Sequence, residues 1–334
     1  MKYREKKEVT KSYKEDYVKG FEYIIENLQK DAEAIRNEYS ENIFKTPEKY
    51  RDDFKQMLGW PLVNHFCDGI PKVKSTLLSE EDGYKIYRMQ FEILDGLNIA
   101  GLFFKQDSDK ENPLVIVQHG NLGTPELMSG MYGDTFNYND VLHRVRKNGV
   151  HVFAPQLLLW SDNYDVEFDR YVIDGRLKRL GSSITAIEVY GITRILDYFE
   201  QQEYVSSFGM VGLSYGGFYT LYTAAVDTRI KSAISCSYFN KRDSISRPDW
   251  SWNKSCEKFD DAEIACLIYP RKLHIGVGNT DELFDYKGAV ESYDNLERLC
   301  GKVGTDWVEF NVFDGVHEFF ENDEPIQKLA DDIK

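Results

Sequence analysis

Paired cysteines are missing from this chain. Its five cysteines, Cys67, Cys236, Cys256, Cys266 and Cys300, are scattered and odd in number, with no Cys-x-x-Cys or paired His/Cys spacing. Neither a zinc site nor a redox pair is therefore expected, and buried free thiols are. Positive charge is also short: 41 Lys and Arg against 56 Asp and Glu leave a formal charge of −15. Nucleic acid and anionic membranes call for a basic face, so neither is expected as a partner. No apolar run approaches the roughly 20 residues of a membrane span. The opening Met1-Lys2-Tyr3-Arg4-Glu5-Lys6-Lys7-Glu8 has no hydrophobic signal region, which makes the cytoplasm the expected location. Internal repeats and low-complexity linkers are absent too, and no cofactor or metal is expected.

What is present is a globular composition, 42% hydrophobic and 14% aromatic over 334 residues. Ser12 and Glu15 have capping-box spacing, and Tyr13, Tyr17, Phe21, Ile24, Ile25, Leu28, Ala32 and Ile35 follow at helical intervals. Thr46-Pro47 opens a shorter helix through Leu58. Residues 1–75 thus read as a helical arm or cap, packed on the domain and in partial contact with a neighbouring subunit, which would make the protein a homo-oligomer. From Tyr84 the period becomes two: Tyr87, Met89, Phe91 and Ile93 share a face, Asp95-Gly96 turns, and Leu97 to Phe104 returns. Strands at Leu114–Val117, Val150–Pro155, Phe208–Leu213, Lys231–Cys236, Lys272–Val277 and Trp307–Phe313 then alternate with helices at Asp140–Lys147, Thr185–Phe199 and Tyr286–Leu299. This order predicts an α/β fold over residues 76–334: a mostly parallel central sheet with an antiparallel hairpin, flanking helices and an irregular insertion at about 237–270.

Gly212-Leu213-Ser214-Tyr215-Gly216 follows an apolar run and precedes a helix, the Gly-x-Ser-x-Gly pattern of a nucleophile elbow. A serine on so tight a turn takes strained backbone angles, and side chains two positions away on either side would collide. A serine hydroxyl needs a base at neutral pH, and His317, just past the last strand, is the candidate. The imidazole needs a carboxylate in turn. Asp281 lies past the preceding strand, with Glu282 and Asp285 as neighbouring alternatives. His119-Gly120 follows the first parallel strand, so the backbone N–H groups of Asn121 and Tyr215 are the candidate oxyanion donors. The His119 ring would orient that loop. His65, His143, His151 and His274 read as surface or satisfied core residues. Trp160, Tyr164, Trp250 and Trp252, together with His119, are candidate pocket residues whose rings suit a sugar or aromatic alcohol, and acetate is the expected acyl group.

From about Tyr84 onward the chain resembles the α/β-hydrolase superfamily, closest to its dienelactone hydrolase, acetyl xylan esterase-like and prolyl oligopeptidase-like branch. The cues are His119-Gly120-Asn121, Val152-Phe153-Ala154-Pro155, Arg179-Leu180-Gly181, Gly212 to Gly217, Ala225 to Ala233 and Asp314-Gly315-Val316-His317. The resemblance implies a Ser214–Asp281–His317 triad acting on carboxylic esters through an acyl-enzyme. Dienelactone hydrolases proper carry cysteine at the elbow, so Ser214 points to the esterase side. An amidase, peptidase or carbon–carbon hydrolase on the same triad, or a silent hydrolase fold used for binding, are the alternative readings.

Overall fold

The computed structural model describes residues 2–60, 69–161, 164, 166–242, 247–301 and 303–334; His65 and Cys67 lie outside the described residues. Among the described residues nine strands form one sheet: β1 (Val73–Glu81), β2 (Tyr84–Leu94), β3 (Leu97–Gln106), β4 (Asn112–Gln118), β5 (His151–Pro155), β6 (Val205–Leu213), β7 (Ile230–Cys236), β8 (Lys272–Gly278) and β9 (Val308–Phe313). Their spatial order is β1-β2-β3-β5-β4-β6-β7-β8-β9. The first three strands form an antiparallel meander that joins β5 antiparallel, and every pairing from β5 to β9 is parallel. The chain has the α/β-hydrolase fold.

The helices are α1 (Lys11–Ser40), α2 (Pro47–Leu58), α3 (Pro125–Met128), α4 (Val141–Arg146), α5 (Arg170–Lys178), α6 (Ile184–Glu200), α7 (Tyr215–Val226), α8 (Asp261–Cys266), α9 (Tyr286–Cys300) and α10 (Glu324–Asp332). Residues of α2, α6, α7, α8 and α9 share one apolar core, and those of α4 and α10 share a second. Covered on both faces, the central strands must be apolar along their whole length. Leu114, Val115, Ile116 and Val117 of β4 are all fully buried, as that logic requires. None of the described helices is long and apolar enough to cross a membrane.

Three expectations change. First, Ser12 caps nothing: a 3-10 turn, Lys7–Thr10, runs straight into α1, so Ser12 lies inside continuous helix. Secondly, the two N-terminal helices behave differently. Phe54 and Leu58 of α2 are fully buried in the main core, each worth about 1.5–3 kcal/mol. In α1 only Arg36 and Ser40 are buried, so its apolar face is not packed on the domain. Thirdly, β1 was not foreseen, because it is an edge strand exposed along nearly its whole length and lacks apolar alternation. The insertion after β7 is more regular than expected. It contains α8, whose start is a true capping box between Asp260 and Glu263.

Candidate active site

Ser214 leaves β6 with φ 60° and ψ −122° and begins α7. The crossing is so tight that glycine is the only residue that fits on either side. A Cβ at Gly212 would lie 2.2 Å from the carbonyl of Gly216, and one at Gly216 would lie 2.1 Å from the Gln118 carbonyl oxygen. The Ser214 N–H donates to Cys236 O at 2.9 Å, which ties the turn to the end of β7. Burial pushes the Cys236 thiol up to about 12, so it stays protonated, and its Sγ donates to Glu318 O at 3.4 Å. One residue therefore couples the serine turn to the loop that carries His317.

His317 Nδ1 donates to Asp281 Oδ2 at 2.8 Å. Asp281 has no exposed side-chain surface, and its Oδ1 accepts from the N–H groups of Leu283 (2.8 Å) and Phe284 (3.0 Å). The Phe284 ring stacks on the imidazole at 5.4 Å and 14°. Glu282 is exposed. Asp285 caps α9, accepting from Lys287 N–H at 3.2 Å. Of the three acids, Asp281 is the one joined to His317. The acid and histidine loops approach this closely because β8 ends in Gly278, where a Cβ would lie 2.4 Å from Val316 O.

The loop after β4 abuts the serine, with a Cβ at Gly120 falling 3.2 Å from Ser214 Cβ. Three of its N–H groups are taken: Gly120 donates to Tyr138 Oη (2.9 Å), Leu122 to Leu159 O (2.6 Å) and Gly123 to Gly120 O (3.3 Å). The Asn121 N–H has no acceptor among the described residues. Tyr215, first in α7, likewise has no intrahelical acceptor for its N–H. His119 is fully buried. It donates from Nδ1 to Gly120 O (2.9 Å) and accepts at Nε2 from Leu157 N–H (3.2 Å), which fixes it as a neutral brace for the loop. With no exposed surface it cannot line a substrate pocket, and that expectation is corrected.

A cleft of about 550 Å³ opens beside these amides, lined by Asn121, Leu122, Trp160, Phe168, Tyr171 and Tyr215 among others. Trp160 faces it and rests on Phe168 at 4.8 Å. Trp250 and Trp252 do not reach it; both belong to the buried core. Trp250 stacks on Phe218 at 5.2 Å and contacts Tyr215 at 4.6 Å, while Trp252 packs on Tyr222 at 6.1 Å. Their rings fill space beneath α7, where apolar area is best hidden. Tyr164 lies outside the cleft wall, with its ring on Tyr132 at 6.0 Å.

Sequence reading missed a buried ionic cluster under the cleft. Arg170 donates to Asp249 Oδ2 (2.7 Å), Glu188 Oε2 (3.0 Å), Tyr219 Oη (2.6 Å) and Leu158 O (2.9 Å). Glu188 also accepts from Leu158 N–H at 2.8 Å and from the Tyr219 hydroxyl. The Tyr215 hydroxyl donates to Asp249 at 2.9 Å. Two carboxylates and one guanidinium fix the cleft wall at Leu158 to α7 directly behind Ser214. No spacing signal joins residues this far apart in the chain. Arg170 opens α5 after a stretch of mixed aromatic, aliphatic and acidic residues that carries no sign of these partners.

Two buried histidines make stability depend on pH. Burial lowers His119 and His151 to about 4. His151 is also held neutral, accepting at Nδ1 from Gln106 N–H (2.9 Å) and donating from Nε2 to Tyr204 O (3.0 Å). In the unfolded chain both titrate near 6.5. Between the two values the unfolded state binds more protons, so stability is complete above pH 6.5 and falls as the pH drops towards 4. Taken as the difference between the wild type and a His119→Asn or His151→Asn variant, urea unfolding from pH 6.5 to 5 should show a loss approaching about 1.4 kcal/mol per pH unit for each histidine. A flat profile over that interval would contradict this assignment.

The sheet order and the loops at the carboxyl ends of β4, β6, β8 and β9 give the layout of an α/β-hydrolase fold. No family model and no curated protein matches the sequence. Among solved structures, the chain is similar to a Bacteroides fragilis protein provisionally assigned as an acetyl xylan esterase. The TM-score is 0.66 at 15% identity, covering 82% of this chain and 76% of that one. It is also similar to an acetyl xylan esterase from Paenibacillus (TM-score 0.60, 16% identity, 85% and 93% covered). A glucuronoyl esterase from Solibacter usitatus gives a TM-score of 0.60 at 14% identity, with 84% and 91% covered. At these identities the likeness establishes the α/β-hydrolase fold.

Proposed function

We propose that the protein is a serine carboxylic-ester hydrolase with Ser214 as nucleophile, His317 as general base and Asp281 as its orienting acid. The observation that carries this reading is the 2.8 Å bond from His317 Nδ1 to a fully buried carboxylate. That bond leaves Nε2 as the basic nitrogen. Ser214 Oγ attacks the ester carbonyl and gives its proton to His317 Nε2. The oxyanion is held by the N–H groups of Asn121 and Tyr215, each worth about 3 kcal/mol of barrier. Collapse expels the alcohol, which takes the proton back from His317, and water then cleaves the acyl-enzyme by the same route.

Asn121 and Tyr215 line the 550 Å³ cleft, so it can receive the ester with the alcohol part against Trp160. The neighbouring folds include enzymes named for acetyl xylan, and acetyl esters of sugars are the substrate class that fits an aromatic wall of this kind. Cys236, Cys266 and Cys300 are free, buried thiols, which suits a reducing compartment, and the cytoplasm is the proposed location. The test is a panel of acetylated sugars, aryl acetates, longer acyl esters and aminoacyl amides. Acetyl esters are expected to have the highest kcat/KM. Faster turnover of amides than of all esters would defeat the proposal.

A further inference from the structure

Helix α1 presents an apolar face that its own body does not cover. Tyr13 is 73% exposed, Tyr17 70%, Phe21 51%, Ile24 53% and Leu28 62%. The helix is anchored near its C-terminal end. There Arg36 donates to Cys256 O at 2.7 Å and reaches Glu263 at 3.5 Å, and the Ser40 hydroxyl is buried. An uncovered apolar stripe of this length marks an interaction surface, and its spacing says what kind. Tyr17, Phe21, Ile24, Leu28, Asp31 and Ile35 alternate by four and three residues, the seven-residue repeat of a helix-to-helix seam. Lys14 extends the same repeat towards the N-terminus.

The two charged seam positions select the partner and its direction. Take two copies of α1 antiparallel about a two-fold axis that passes between Glu22 and Tyr23. Phe21 then faces Ile24, Tyr17 faces Leu28, and Lys14 faces Asp31. On the flanks Val18 meets Ile25, and the bulky Tyr13 meets Ala34. A parallel in-register pair would instead set Lys14 on Lys14 and Asp31 on Asp31, which is repulsive. Four apolar layers closed at both ends by opposite charges form an isologous interface, the commonest type in homodimers. The anchoring ends of the two helices then lie roughly 40 Å apart at 1.5 Å per residue. We propose that the protein is a two-fold dimer joined through antiparallel α1 helices, with Lys14 of each copy paired to Asp31 of the partner subunit.

Sedimentation equilibrium on the full chain tests this, with far-ultraviolet circular dichroism and aryl acetate hydrolysis as controls for an intact body. The wild type is expected to be dimeric at micromolar concentration. Phe21→Glu should raise the dissociation constant more than about 100-fold, because each dimer loses two buried layers. Lys14→Glu and Asp31→Lys should each weaken the dimer by about tenfold, since two charge pairs become repulsive. The double swap K14E/D31K should restore wild-type affinity. A monomeric wild type, a dimer indifferent to Phe21→Glu, or a double swap no tighter than the single variants would each overturn the proposal.

Discussion

Ser214→Ala is expected to lower kcat for ester hydrolysis by about 10⁶-fold, leaving only the contribution of binding and the oxyanion donors. The folded state should scarcely change, because the bond that holds the turn is the backbone one from Ser214 N to Cys236 O. Alanine also inherits the same positive φ of 60°. Ser214→Gly separates chemistry from strain. It should be equally inactive yet more stable, since a left-handed non-glycine residue costs about 1–3 kcal/mol. Turnover of an aryl acetate, reaction with a fluorophosphonate probe and thermal unfolding give the three readouts. Wild-type turnover in a clean Ser214→Ala preparation would refute the nucleophile assignment.

Asp281→Asn is expected to reduce kcat by about 10⁴-fold with little change in KM. The direction follows from the hydrogen bonds around the carboxylate. Oδ1 already accepts from the N–H groups of Leu283 and Phe284, so the carboxamide oxygen of an asparagine stays on that side. Its NH₂ group then faces His317 Nδ1, which must become the acceptor. The imidazole proton moves to Nε2, and the ring can no longer take a proton from Ser214. Neither neighbour can substitute: Glu282 points to solvent and Asp285 is engaged at the start of α9. Retention of more than a tenth of the activity would show that Asp281 does not set the tautomer.

Much of the scaffold was legible because its causes are local. The continuous apolar run Leu114–Val117 can only be a strand covered on both faces, and Asp95-Gly96 between two alternating runs can only be a hairpin turn, with Gly96 at φ 76°. Apolar periodicity gave α6 and α9 to within a residue or two. The arm was half legible. Periodicity located α1 and α2, but it cannot distinguish a face buried in the body from one left open. Trp250 and Trp252 were misplaced for a related reason: composition says that an aromatic residue wants cover, not which surface supplies it.

By itself, the sequence determined the serine turn. Gly212 and Gly216 exclude every larger side chain at two fixed offsets from Ser214, a purely local steric condition. It also determined the alternation of strand and helix, which makes the central strands parallel and puts the loops that follow them on one edge of the sheet. Tertiary structure alone decided which acid meets His317, because three carboxylates within five residues differ only in where the loop points them. It alone assembled Arg170 with Glu188 and Asp249, charges 18 and 79 residues away from the arginine. Such a cluster exists because buried charges must be paired once the fold removes water from them, and chain spacing carries no record of that.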